Sequence, residues 1–391
     1  MIWNVLLLPT SHTDARSDRD STGSAARSPF VGLMERIQSL KSAPLRRDRL
    51  GAEFKEICDG VIRLTTTVEA EFESVVSRVH CYLVETSPGR YFLVDSGWAR
   101  AGDSLVGAIQ AALGGVAIER LLITHLHPDH FGGSKAIIRT YSSEVSYHRR
   151  ETLHRRYYYS VFNRGMAYAS DRLGFPIDVL ETVRDAISSS RPILPEPDSY
   201  VVDGQMIPTR LGGWRVLHTP GHSPGHICLY RQTDGTLISG DHILPGETPN
   251  IAFYPVPKYD ALRSYLTSLA KVKRLAPRVA LPGHGSVIGD VSKRIETISA
   301  HHEERLQEVL RGLRGGERSA AEVTSSVKWS RGSYESLGHV NRWLAVMETV
   351  AHLEFLVGCG VARRARGRGR RYRLEGDDWS PVWKTVARIL A

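Results

Sequence analysis

The segment Thr124–Gly133, THLHPDHFGG, places His125, His127, Asp129 and His130 within six residues. Imidazole nitrogens and carboxylate oxygens this close together, just after an apolar run, suit a metal cation rather than a serine or cysteine nucleophile. The His-x-His step sets two imidazoles on one loop, Pro128 stiffens the turn, and Asp129 and His130 point at a second position. Gly132 and Gly133 permit close backbone approach and a helix start. Three later segments repeat the pattern. TPGHSPGH (219–226) puts His222 in a turn, LISGDHILP (237–245) ends an apolar run at Asp241, and LPGHG (281–285) ends another at His284. Each is a ligand-type residue flanked by Gly or Pro that fix a tight loop. Such ligands suit Zn²⁺, and Mn²⁺ or Fe²⁺ in one or both positions is compatible with them.

Side chains so far apart in sequence need a rigid frame. From about residue 53, short β-like runs alternate with turn signals: GVIRLTT (60–66), HCYLVET (80–86) and RYFLVDSG (90–97). A helix over DSLVGAIQAALG (103–114) and a buried strand at ERLLITH (119–125) follow. Further strands are expected at 214–220, 226–231, 236–241 and 278–284, with a helix over 259–275 between the last two. Mixed elements of this kind predict α/β sheet layers covered by helices. Residues 147–200 interrupt the pattern and read as an inserted helical cap. Beyond 292 come a long polar-faced helix (293–313), SAAEVTSSV, a second long helix, and a basic hairpin from GVARRA and RRYRL. Three regions result: an extension over 1–50 that reads as disordered apart from a short helix at 31–40, a chemical domain over 53–292, and a C-terminal unit over 293–391.

The formal net charge is +9 over 391 residues, unevenly placed. Residues 1–50 carry +3, and VARRARGRGRRYR (361–373) carries seven arginines and no acid, leaving the remainder near −1. The basic character therefore belongs to the ends, which weakens any inference from high pI to a nucleic-acid-binding active site. Cys58, Cys81, Cys228 and Cys359 form no CxxC pair and read as isolated buried thiols in a reducing compartment. No apolar run approaches the ~20 residues of a membrane helix. The start, MIWNVLLLPT, lacks a basic n-region and does not read as a signal peptide. Cytoplasm is the default compartment, no membrane partner is expected, and an oligomer is left open.

The ligand segments and their order resemble the metallo-β-lactamase superfamily over about residues 55–290. The resemblance implies a four-layer αββα sandwich with the site along one edge. It implies that His125, His127 and His222 bind one metal, that Asp129, His130 and His284 bind a second, and that Asp241 bridges them. Asp95, in LVDSG, matches an early strand-end aspartate and is expected to orient a ligand histidine. Asp129 and Asp241 are the residues expected to serve the chemistry directly. Two divalent ions would activate a shared water for attack on a carbonyl carbon or a phosphorus. Asp241 stands where β-lactamases of this fold carry a Cys or lack the bridging acid, so antibiotic hydrolysis is not expected. Residues 315–375 resemble, more weakly, the winged-helix appendage of the LACTB2-like branch, which includes an endoribonuclease and thioesterases of polyketide pathways.

The expected substrate is a small acyl compound: an ester, thioester or lactone. The alternative is an RNase or other phosphodiesterase that holds nucleic acid through the basic C-terminal hairpin. Tyr157, Tyr158, Tyr159, Phe162, Phe253 and Tyr254 suggest a partly apolar cleft wall, with packing of the cap as the equal alternative. Arg149, Arg150, Arg155 and Arg156 read first as a solvated face. His226, His242 and Tyr254 are candidates for the leaving-group acid and read first as packing or hydrogen-bonding residues.

Overall fold

The computed structural model describes residues 46–47, 53–69, 76–153, 194–330, 332–365 and 370–391. The expectations for residues 1–45, and those for 154–193 within the cap, lie outside the described residues.

The first sheet has eight strands in chain order: β1 (Arg46–Arg47), β2 (Glu53–Cys58), β3 (Val61–Glu69), β4 (Val76–Ser87), β5 (Arg90–Val94), β6 (Ala117–Leu122), β7 (Glu144–His148) and β8 (Ser199–Val201). It is antiparallel from β1 to β5 and parallel from β5 to β8. The second sheet runs β13-β12-β11-β10-β9, with β9 (Met206–Ile207), β10 (Trp214–His218), β11 (Ile227–Arg231), β12 (Thr236–Gly240) and β13 (Val279–Pro282). Only β12 and β13 pair in parallel there.

Period-two alternation assigns each strand's faces. In β5, Tyr91 and Leu93 join one core with the helices Gly102–Leu113 and Ser134–Tyr141, while Phe92 and Val94 join another. That second core also takes Val216 of β10, Ile227 and Leu229 of β11 and Leu281 of β13, so it fills the space between the sheets. Leu217, Cys228 and Ala280 face the opposite way, against the helices Ala261–Arg274, Val291–Gly312 and His339–Gly358. Helix, sheet, sheet and helix make the four layers of an α/β sandwich.

Observed strands are shorter than the apolar runs that announce them. The run 119–125 is strand only to Leu122, and 90–97 only to Val94, because Asp95 takes a left-handed φ of 61°. Both ends of the 147–200 stretch belong to the sheet, since Tyr147 and His148 close β7 and Ser199 opens β8. The Val291–Gly312 helix is not merely polar-faced: Ile295, Ile298, His302, Leu306, Val309 and Leu310 are buried. Past it, the short helix Ala320–Thr324, the long helix and an antiparallel hairpin, β15 (Ala362–Arg364) with β16 (Arg371–Leu374), follow in the expected order. A two-residue strand, β14 (Arg318–Ser319), adds a third member, and a closing helix, Ser380–Leu390, was not expected. Val346, Phe355, Tyr372 and Val382 of this region share one continuous core with the second sheet. The four cysteines are free thiols, with Cys58, Cys81 and Cys228 buried. Among the described residues no helix is long and apolar enough to cross a membrane.

Gly133 shows how tightly the loop after β6 is set. A Cβ there would lie 2.1 Å from the Ser96 carbonyl oxygen, a fixed backbone atom. Gly133→Ala is expected to cost about 1–3 kcal/mol, read from a denaturant-unfolding midpoint. Wild-type stability would show that the loop has room to spare.

Candidate metal centre

Five loops leave the ends of parallel strands or their neighbours, four of them bearing expected ligands. Asp95 follows β5, His125 to His130 follow β6, Asp241 follows β12, His284 follows β13, and His222 follows antiparallel β10. The carboxyl ends of parallel strands open toward a common crevice, so residues as far apart in sequence as Asp95 and His284 meet there. All seven expected ligand residues converge. His125, His127 and His222 form one group of close ligand atoms, Asp129, His130 and His284 another, and His125, His130 and Asp241 a third that links them.

The outer atoms of the imidazoles are held first. His284 Nδ1 lies 2.7 Å from the Arg78 carbonyl, and His222 Nδ1 lies 2.9 Å from the Asn250 carbonyl. A carbonyl only accepts, so both rings carry a proton on Nδ1 and turn Nε2 inward. His130 Nδ1 donates to Asp95 Oδ2 at 2.8 Å. The Thr124 hydroxyl donates to the same carboxylate at 2.8 Å, so the 3.0 Å contact from His125 Nδ1 to Thr124 Oγ1 is a donation by the ring. Four Nε2 atoms therefore face inward. His127 differs, presenting Nδ1, which lies 2.9 Å from His125 Nε2 and 3.0 Å from His222 Nε2.

One Nδ1 proton cannot satisfy two neighbouring lone pairs at once. Nitrogens bound tetrahedrally to zinc at 2.0–2.1 Å lie roughly 3.3 Å apart, close to this spacing. The carboxylates complete the picture. Asp241 Oδ1 is 3.4 Å from His130 Nε2, and its Oδ2 is 3.7 Å from both His222 Nε2 and His284 Nε2. Asp129 Oδ2 is 3.3 Å from His284 Nε2 and 3.9 Å from His130 Nε2. Asp129, Asp241 and the five rings are buried or nearly so.

The electrostatics separate the two groups. Burial, then the neighbouring imidazoles, push His125 well below the ordinary histidine range, which suits a neutral ligand. Burial acts the same way on His130, but the Asp241, Asp95 and Asp129 carboxylates overcome it and hold the ring well above that range. Burial raises Asp129, yet His130 and His284 bring it down to about 2. His284 is likewise raised by Asp241 and Asp129, so the buried carboxylates draw positive charge to this side of the centre, and divalent cations that replace those protons fit the donor set.

Glu151 supports the site and was not singled out, because it sits in the stretch read as a cap. Its buried carboxylate accepts from Leu126 N–H at 2.8 Å, from the Ser223 hydroxyl at 2.6 Å and from Gly225 N–H at 2.6 Å. One side chain thus ties the His125–His127 loop to the His222 loop. Burial pushes Glu151 up to about 7 against the pull of those donors. Two of the three candidates for a leaving-group acid are hydrogen-bonded elsewhere, and the third is packed in the core. His226 Nε2 accepts from Asp241 N–H at 3.1 Å, and its Nδ1 is 2.9 Å from the Thr219 hydroxyl. The Tyr254 hydroxyl donates to the His222 carbonyl at 3.1 Å, and His242 packs edge-on against Tyr265.

Comparisons with known proteins agree with this geometry. Residues 75–284 match the family model of the metallo-beta-lactamase superfamily. A Drosophila melanogaster relative, "Beta-lactamase-like protein 2 homolog", is 31% identical over 230 residues, covering 57% of this chain and 64% of that protein. An Aspergillus fumigatus relative, "Atrochrysone carboxyl ACP thioesterase", is 26% identical over 243 residues, covering 62% of each chain. The chain thus spans less than two thirds of the length of both. The crystal structure of a beta-lactamase domain protein from Burkholderia ambifaria superposes with a TM-score of 0.71 at 26% identity, covering 85% of this chain and 96% of that one. With a family match over more than half its length and the sandwich fold in place, the chain belongs to the metallo-beta-lactamase superfamily.

Proposed function

We propose that this chain is a hydrolase of a small acyl compound, a carboxylic ester, thioester or lactone, and that it works with two divalent metal ions, Zn²⁺ before Mn²⁺ or Fe²⁺. The observation that carries the reading is the set of inward-facing Nε2 atoms around Asp241. His125, His127 and His222 would hold one ion, and Asp129, His130 and His284 the other. Asp241, with Oδ1 toward His130 and Oδ2 toward His222 and His284, would bridge them. When bound, such a pair brings the pKa of water toward neutrality and polarises a substrate oxygen.

The protein's own task is to keep the ligand atoms fixed and dry. Asp95 and Thr124 orient His130 and His125, while Glu151 fastens two ligand loops. Asp129, held at about 2, stays ionised across the neutral range and offsets cationic charge.

Two observations favour an acyl substrate over a phosphodiester. One relative is named a thioesterase. Four of the hairpin arginines are also already engaged: Arg363 pairs with Glu375, Arg364 and Arg370 with Glu354, and Arg371 with Glu317 and Glu322. Charge offset by local acids offers less field to a phosphate backbone.

With Zn²⁺ or Mn²⁺ supplied, p-nitrophenyl acyl esters or S-acyl thioesters are expected to turn over, and bis-p-nitrophenyl phosphate and single-stranded RNA are not. RNA cleavage that disappears in Asp129→Ala and His222→Ala, without acyl turnover, would overturn the assignment. Asp241→Ala is expected to lose metal and nearly all turnover; two tightly held ions with full activity would refute its bridging place. Asp95→Asn is expected to weaken one ion about 10–100-fold, measured by titration against a chelator. Unchanged affinity would show that His130 needs no orienting carboxylate.

A further inference from the structure

The loop from Asn250 to Tyr254 joins the metal centre to the C-terminal His339–Gly358 helix. Facing the centre, the Asn250 carbonyl accepts the His222 Nδ1 proton at 2.9 Å. Facing the helix, Asn250 Nδ2 donates to the Leu344 carbonyl at 3.3 Å and to Glu348 Oε2 at 3.0 Å. Phe253 N–H adds a backbone hydrogen bond to the Met347 carbonyl at 3.0 Å. Glu348 is 7% exposed, and its other oxygen lies 3.5 Å from Arg305 Nε of the Val291–Gly312 helix. Arg305 is anchored in turn by the Lys328 carbonyl at 2.6 Å and by the Trp329 ring, whose centroid lies 4.2 Å from its guanidinium carbon.

A buried carboxylate is costly, and a well-packed apolar residue of the same size would fill this position at no desolvation cost. Glu348 lies among Val346, Met347, Val350 and Ala351, all core residues, so packing alone does not call for it. What a carboxylate supplies there is an acceptor. The Asn250 amide has two protons, and both are spent on the C-terminal helix, which fixes that residue's backbone. The same backbone carbonyl then fixes the ring plane and tautomer of His222, whose Nε2 reaches within 3.0 Å of His127 Nδ1.

We propose that Glu348 and Asn250 are positioning residues for the metal centre, through which the C-terminal helix sets the orientation of His222. The inference rests on the reading of His222 as a metal ligand. It makes the region beyond residue 292 part of the catalytic unit rather than an appendage.

The test uses the full chain and measures Zn²⁺ affinity by chelator competition, together with the rise in melting temperature that Zn²⁺ produces. Glu348→Ala and Asn250→Ala are expected to weaken one of the two ions about 10–100-fold and to shrink the Zn²⁺-induced rise, with kcat falling more than KM changes. Glu348→Gln, which still offers Asn250 an acceptor, is expected to restore affinity to within a few-fold. The double variant is expected to lose no more than the worse single variant, because both act in one chain of contacts. Should the alanine variants fail to fold, Asn250→Asp keeps the side chain's shape while removing both protons, and the same loss is expected. Variants that melt earlier without Zn²⁺ yet bind two ions as tightly as wild type would overturn the inference alone. A wild-type chain that binds no divalent ion would remove the metal reading and this inference together.

Discussion

A neutral imidazole has one proton and one in-plane lone pair, and the centre is built on how that proton is spent. Arg78, Asn250, Thr124 and Asp95 take it from the outer nitrogen of His284, His222, His125 and His130. The inner nitrogens then gather beside ionised carboxylates, a cluster that needs positive charge, either as protons on His130 and His284 or as metal cations in their place. Folding and cation binding are coupled on this account: the outer shell stores a demand that the ion satisfies, and the ion repays it as stability of the folded chain.

The sandwich exists to make that outer shell rigid. Two sheets share a dry core through alternate residues of the same strands that face the helices, so no strand can slip by one residue without emptying both layers. Loops leaving the carboxyl ends of β5, β6, β12 and β13 are thereby fixed within one crevice. Asp95 is the clearest case. Its left-handed turn ends β5 and swings a carboxylate beneath both Thr124 and His130, so one residue serves backbone, hydroxyl and ring.

The residues of the inner cluster were legible in the sequence because coordination demands particular side chains at particular spacings, and tight loops demand Gly and Pro beside them. The outer shell was legible only where it used side chains near a motif, as at Asp95. The carbonyls of Arg78 and Asn250 leave no trace, since every residue carries one. Glu151 and Glu348 look like ordinary polar positions of helical stretches; only the fold shows that each is buried against donors from a distant loop. Short strands such as Glu144–His148 and Met206–Ile207 were missed because a few residues give too little alternation to detect. The helix expected at 293–313 has its exposed polar face, but its buried side was under-read, since His302 and Arg305 are polar in the sequence and buried in the packing.

His127 alone turns its Nδ1 inward. That atom hangs two bonds from Cβ, at the reach of an asparagine or aspartate oxygen, whereas Nε2 of the other four rings sits at the reach of glutamine or glutamate. The five imidazoles are therefore not interchangeable parts. A short amide or acid reaches the point His127 Nδ1 occupies with its main chain unmoved, while its neighbours would need longer replacements.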